Sequence, residues 1–292
     1  MKESSCQFGE QGRLCGILTV PERYPAPRAT LILVSAGLTA KTGPYRLYTH
    51  IARQLAASGI ATLRFDLGGI GNSVQAEFGL PLHQRTQADI RTAVNFAQAT
   101  LGTRTLLLGG LCSGAEDAFR YAEVDPRING VVMLDPHAFR TLGWWLHHLT
   151  SLRSLRTAIK NTVRNSGSSW PLAAMSAGSR ESDGSLIDYR YMRQAEARRI
   201  VATLLARGVR VHYMFTADRA HQFNHAAQLQ QMLPEAAGNP RLSVSYLPHL
   251  EHTQFLAEDR QTVIDHIRDW ISNSQPQDVP EPDCNAALAA PR

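Results

Sequence analysis

The stretch RTLLLGGLCSGAEDAFRYAEV, residues 104–124, decides the fold. Leu106 to Leu108 form a short continuous apolar run, as in a strand buried on both faces. SGAEDAFRYAEV, from Ser113 onward, reads as a helix. Between them stands Gly110-Leu111-Cys112-Ser113-Gly114, the G-x-S-x-G pattern with cysteine in place of the central serine. A sharp strand-to-helix turn needs small residues on both sides, because neighbouring backbones pass close to it. The sulfur of Cys112 would stand at a helix N-terminus, where the dipole favours a thiolate. Cys112 is therefore the candidate nucleophile, flanked by Gly110 and Gly114, and the Ser113 amide is a candidate oxyanion donor. A second register, with Ser113 as nucleophile, puts Leu111 and Ala115 where the glycines belong and ranks below.

Strand and helix signals alternate on either side of this turn. CQFGEQGRLCGILTV (6–20) reads as a hairpin turning at Glu10-Gln11-Gly12, and TLILVS (30–35) as a buried parallel strand. Pro44 opens a helix with Ile51, Leu55 and Ala56 on one face, and Gly59 stops it. IATLRFD (60–66) is a strand; Ile90, Val94, Ala97 and Leu101 then recur at helical spacing. INGVVMLD (128–135), VRVHYMF (209–215) and LSVSYLP (242–248) are further strands, the last two separated by a helix through AAQLQQML. A final helix runs from about Phe255 to Ser272 and carries Val263, Ile264, Ile267 and Ile271. The expected architecture is α/β, a mostly parallel eight-stranded sheet with helices on both faces. In such sheets sites lie beyond the C-terminal strand ends.

The rhythm breaks between about His137 and Arg199, where a long amphipathic stretch and a Ser/Gly-rich segment suggest a helical cap above the sheet. The expected division is a core in two parts, 1–136 and 200–273, with a cap or lid at 137–199. Residues 274–292 have the Pro-rich, weakly apolar composition of a disordered tail.

A cysteine nucleophile needs a base and a group that orients the base. Asp218 follows VRVHYMF, and His252 follows LSVSYLP directly ahead of the last helix, so nucleophile, acid and histidine occur in the chain order such sheets use. His252 is the candidate base, with the neighbouring His249 second. Asp135, at the end of INGVVMLD, competes with Asp218 for the orienting role. The loop Ser35-Ala36-Gly37-Leu38 after TLILVS would supply the second oxyanion donor from the Leu38 amide. His221 and His225 lie four apart but lack a third ligand, so no metal site is expected there.

The 292 residues include 43% apolar and 19% charged side chains, ordinary for one globular domain. No apolar run spans a bilayer and no signal core opens the chain, so a cytoplasmic location is the expectation. Cys6, Cys15, Cys112 and Cys284 form no CxxC pair. Cys6 and Cys15 could face each other across the hairpin. A net charge of +5 invites acidic partners, but no basic run or nucleic-acid signature accompanies it.

These residues resemble the α/β-hydrolase superfamily from about Cys6 to Ser272. SAGLTAKTGPYRLYTHIARQLAASGIATLRFDLGGIGNS, residues 35–73, is similar to serine aminopeptidase-like hydrolases, and more closely to those associated with bacterial exosortase and exopolysaccharide systems. In that group the loop commonly reads Asn-Ala-Gly, where Ser35 stands here. Its later Asp-x-x-Gly-x-Gly-x-Ser turn is matched by Asp66, Gly69, Gly71 and Ser73. Asp66 is expected to cap the loop after its strand. The G-x-C-x-G turn also resembles dienelactone hydrolase over those few positions.

WWLHHLTSLRSLRTAIKNTVRN, residues 144–165, has a helical period. Leu149, Leu152, Leu155, Ile159 and Val163 make an apolar stripe, and Arg153, Arg156, Lys160 and Arg164 make a basic one beside it. The basic edge suits solvent, and peripheral contact with a membrane surface or an anionic carrier stays open. Trp144 and Trp145 either line an acyl pocket or anchor the cap. The expected chemistry is cleavage of an ester, lactone or thioester through a thioacyl-enzyme, without cofactor, on a small-molecule or carrier-bound acyl substrate. Acyl transfer to an amine or alcohol, and a non-catalytic binding protein on the same scaffold, are the alternatives. The substrate and the oligomeric state are not legible.

Overall fold

The computed structural model describes residues 1–22, 26–37, 39–75, 80–150 and 192–273. Its centre is an eight-stranded sheet: β1 (Lys2–Phe8), β2 (Leu14–Val20), β3 (Ala29–Val34), β4 (Ile60–Phe65), β5 (Leu106–Leu111), β6 (Ile128–Leu134), β7 (Arg210–Thr216) and β8 (Leu242–Leu247), in the order β1-β2-β4-β3-β5-β6-β7-β8. β2 pairs antiparallel with β1 and β4, and every other pairing is parallel. This is the mostly parallel eight-stranded sheet that the alternating pattern predicts.

The helices are α1 (Leu47–Ala57), α2 (Leu82–Leu101), α3 (Ser113–Val124), α4 (Leu142–Thr150), α5 (Gln194–Ala206), α6 (Gln228–Met232) and α7 (Ala257–Ser272). Side chains alternate across a strand, so each central strand feeds two cores. Ile32, Val34, Leu106, Leu108, Val131 and Met133 pack with α2, α3 and α5. Leu31, Leu33, Leu107, Leu111, Val132 and Leu134 pack with α1 and α7. β3, β4 and β5 are buried along their whole length, which explains the apolar runs of β3 and β5. Each fully buried Leu or Ile contributes about 1.5–3 kcal/mol.

Several local expectations shift for physical reasons. The helix expected from Pro44 begins at Leu47, because Tyr45 and Arg46 adopt positive φ of 45° and 64° and leave only a 3-10 turn ahead of it. Pro234 helps confine the helix through AAQLQQML to five residues. Cys6 pairs with Gly16 while Gln7 pairs with Cys15, so the two cysteines emerge on opposite faces of the hairpin and do not meet. The expected cap boundary at Arg199 falls inside α5, a continuous helix whose Ala197, Ile200, Val201 and Leu204 are buried in the core. The basic stripe of the cap and the C-terminal tail lie outside the described residues. Among the described residues no helix is long and apolar enough to cross a membrane.

Candidate active site

The turn after β5 is built as the glycine spacing requires. Cys112 sits between β5 and α3 with φ 52° and ψ −120°, a strained conformation for a residue with a side chain. Its amide donates to the Leu134 carbonyl at 2.8 Å, which ties the turn to β6. A Cβ on Gly110 would stand 2.5 Å from the Gly114 backbone, and one on Gly114 2.4 Å from the Val34 carbonyl oxygen. Neither neighbour is a flexible side chain, so both glycines are needed for the close approach.

Register then decides which acid reaches the site. Leu111 of β5 is paired with Leu134 of β6, so Cys112 and Asp135 are the next residues along two adjacent strands. Asp135 is fully buried, and Thr216 donates to it from its amide and its hydroxyl, each at 2.7 Å. His252 Nδ1 lies 2.8 Å from Asp135 Oδ2. With Nδ1 on the carboxylate, the imidazole has only Nε2 left for Cys112, with which it interacts electrostatically. Cysteine, imidazole and carboxylate thus stand in series.

The expected orienting acid, Asp218, is elsewhere. It is exposed in the 3-10 turn Ala217–His221, beyond the end of β7 and one strand further from Cys112 than Asp135 is. Its Oδ2 accepts the backbone amide of His252 at 2.7 Å and so holds the loop, not the ring. The reading that gave Asp218 the orienting role is corrected in favour of Asp135. His249 is exposed.

Of the two expected oxyanion donors, Ser113 lies among the described residues. Ser113 is the first residue of α3, and its amide faces the Cys112 sulfur. The Ser113 hydroxyl accepts the Gly37 amide at 2.7 Å, an engagement that does not suit a nucleophile. Leu38 lies outside the described residues. Around it the loop is well anchored. Ser35 donates to the Phe65 carbonyl, and the buried Asp66 carboxylate accepts the Lys41 and Asn72 amides and pairs with the Lys41 ammonium. Asp66 is the loop cap its position suggests.

A buried phenol joins the two sides of the site. Tyr48 of α1 donates to the Val34 carbonyl at 2.9 Å and accepts the Leu111 amide at 2.8 Å. It ties the end of β3 to the residue before Cys112.

Arg219 is the residue that sequence reasoning missed. Its Nη2 lies 3.2 Å from Cys112 Sγ and donates to the Asp135 carbonyl at 2.8 Å, while Nε donates to the same carbonyl at 3.1 Å. An arginine three residues past a strand has no local signature. Only the fold brings it to the sulfur.

The electrostatics follow from these contacts. Burial pushes the Cys112 thiol up, but the hydrogen bond to His252, the charge of Arg219, the His252 charge and the Ser113 amide outweigh it, and the net shift is downward. The hydrogen bond to Asp135, then that to Cys112, raises His252 to about 9 despite its burial. The two groups titrate as a pair, and both shifts favour thiolate beside imidazolium.

The tryptophans divide. Trp144 is buried, its Nε1 donates to the Ala220 carbonyl at 3.1 Å, and it stacks on His148 with Arg140 over its ring. It anchors α4, and the acyl-pocket alternative does not suit a ring so enclosed. Trp145 is exposed. Among the described residues no group of three His, Cys, Asp or Glu could hold a metal ion.

A family model described as Serine aminopeptidase, S33 matches residues 25–167. Est1E from Butyrivibrio proteoclasticus is similar in structure, with a TM-score of 0.58 at 14% identity over 92% of this chain and 98% of that one. So is a putative α/β-hydrolase of unknown function from Agrobacterium tumefaciens, with 0.57 at 16% identity over 96% and 100%. Dienelactone hydrolase from Anabaena variabilis gives 0.57 at 10% identity over 94% and 99%. No curated protein matches the chain. At these identities the likeness is one of fold, and the fold is that of the α/β-hydrolases.

Proposed function

We propose that this chain, which has the α/β-hydrolase fold, is a hydrolase that cleaves an ester or thioester through a thioacyl-enzyme on Cys112. One observation carries the reading: Cys112, His252 and Asp135 stand together beyond the C-terminal ends of β5, β8 and β6, with the His252 ring hydrogen-bonded to the buried Asp135 carboxylate. A binding protein on the same scaffold has no use for a buried carboxylate aimed at an imidazole that is itself aimed at a strained cysteine. Structural likeness to an enzyme named as an esterase domain, from a Rhodothermus marinus protein, supports the same chemistry.

The chemistry follows from the charges. The Cys112 thiolate attacks the carbonyl carbon, and a C–S bond forms as the oxygen takes up negative charge. The Ser113 amide at the α3 N-terminus donates to that oxygen. When the tetrahedral species collapses, His252 Nε2 gives its proton to the departing alcohol or thiol. Water then adds to the thioester, leaving a proton on His252, and the Cys112 thiolate departs as the acid is released. Asp135 keeps Nδ1 protonated throughout and stabilises the imidazolium. No step calls on a metal or an organic cofactor. An amine or alcohol in place of that water gives acyl transfer by the same steps.

The test is titration of activity against alkylation. With p-nitrophenyl esters of short acids as substrates, hydrolysis is expected to fall in proportion to the fraction of Cys112 alkylated by iodoacetamide, read by peptide mass spectrometry. Hydrolysis that survives full alkylation of Cys112 would exclude it as the nucleophile.

A further inference from the structure

We propose that Arg219 is a catalytic residue, the second cation of the nucleophile, holding the Cys112 thiolate from a side that His252 does not occupy. The inference rests on the reading of Cys112 as nucleophile.

The geometry is specific. A guanidinium presents its N–H groups in a rigid plane, so fixing part of the fork aims the rest. Nε and Nη2 of Arg219 both donate to the Asp135 carbonyl, and that places Nη2 3.2 Å from Sγ, within reach for a charge-assisted hydrogen bond to sulfur. Asp135 thereby holds both cations, His252 through its carboxylate and Arg219 through its main-chain oxygen. The turn that carries Arg219 is itself closed, since the Arg219 carbonyl accepts the Gln222 and Phe223 amides at 2.8 and 2.7 Å. The adjacent Asp218 holds the His252 backbone. One short turn after β7 therefore positions the base and contacts the nucleophile.

Charge balance explains why this arrangement suits sulfur. Thiolate and Asp135 carboxylate face imidazolium and guanidinium, two of each sign. His137, also near Arg219, is kept neutral; burial, then the charges of Arg219 and His221, lower it to about 4. A serine hydroxyl at position 112 would carry no charge for Arg219 to meet. Arg219 would then only oppose protonation of His252.

Arg219 acts at two points of the cycle. In the resting enzyme it stabilises the thiolate that attacks. In the thioester the sulfur is neutral and Nη2 loses its anionic partner. In deacylation the C–S bond breaks, the electron pair returns to sulfur, and Nη2 receives the charge again, which stabilises Cys112 as the leaving group.

The experiment compares alkylation of Cys112 by neutral iodoacetamide and anionic iodoacetate across pH, in wild type, Arg219→Lys and Arg219→Met, with the modified peptide identified by mass spectrometry. Arg219→Met is expected to slow alkylation at neutral pH by about tenfold or more and to move the pH midpoint upward. It is also expected to lower the ratio of iodoacetate to iodoacetamide rates, with Arg219→Lys between the two. A purely structural tether would not change that ratio. The wild-type ratio, relative to free cysteine, is expected to favour iodoacetate and needs no variant. An unchanged midpoint and ratio in a folded Arg219→Met protein overturns the role of Arg219, as does a wild-type ratio no higher than that of free cysteine. Wild-type Cys112 reacting no faster than Cys6 or Cys15 overturns instead the nucleophile reading itself.

Discussion

Replacing Cys112 by alanine is expected to lower ester and thioester hydrolysis by about 10⁴-fold or more while leaving the thermal unfolding midpoint nearly unchanged. The size of the loss comes from the covalent step. Without sulfur there is no acyl-enzyme, and the remaining donors only position water against the carbonyl. The fold tolerates the change because the strain at φ 52° belongs to the backbone, which alanine shares with cysteine. Cys112→Ser is the more instructive variant. Its hydroxyl must be deprotonated during attack, by an imidazole that Asp135 still raises but that no longer has the Cys112 sulfur to raise it further. Activity is therefore expected to stay below wild type at neutral pH and to recover in part as the pH rises and His252 becomes a free base, with a midpoint below the value of about 9 that His252 has beside Cys112. Steady-state kinetics of both variants from pH 6 to 10 checks this. Wild-type rates in Cys112→Ser at neutral pH would show that the thiolate is dispensable.

The second large effect separates the two acids. Asp135→Asn is expected to cost on the order of 10³–10⁴ in kcat/KM, the scale on which an orienting carboxylate acts. Asparagine cannot stabilise the imidazolium. Its amide nitrogen, whichever way it turns, faces a donor from Thr216 or His252 where the carboxylate accepts. Loss of the anion also removes the largest contribution raising His252. The alkaline limb of the pH profile, where the imidazolium acid is lost, is accordingly expected to move below about pH 9. Asp218→Asn should behave differently. Its oxygen accepts only a backbone amide, and asparagine offers an equivalent oxygen, so the change is expected within about tenfold. Matched kinetics on the two variants decide the assignment, and a larger loss from Asp218→Asn would reverse it.

Much of this architecture was legible in the residues. Leu106 to Leu108, the glycines at 110 and 114, and the helix from Ser113 specify the turn locally, because sterics at a tight strand-to-helix junction allow few residue types. His252 was legible from its place between the last strand and the last helix. The acid was not, since both Asp135 and Asp218 follow apolar strands in the allowed chain order. Only the adjacency of β5 and β6, with Leu111 opposite Leu134, separates them. Arg219 and Tyr48 were invisible for a related reason. Each acts through contacts with residues 107 and 63 positions away in sequence, and neither has a neighbouring pattern that marks it. The late start of α1 was equally hidden, because positive φ at Tyr45 and Arg46 breaks the ordinary rule for residues with side chains.

The central claim, a covalent thioacyl-enzyme on Cys112, is tested most directly by trapping it. Wild-type protein mixed with an activated acyl thioester is acid-quenched within milliseconds, digested and weighed by mass spectrometry, with Cys112→Ala in parallel. The expected result is one acyl group on the peptide containing Cys112, appearing before free acid accumulates, lost on a chase with water, and absent from the variant. Free acid released at the full rate with no acyl group on that peptide at any time would contradict a thioacyl-enzyme.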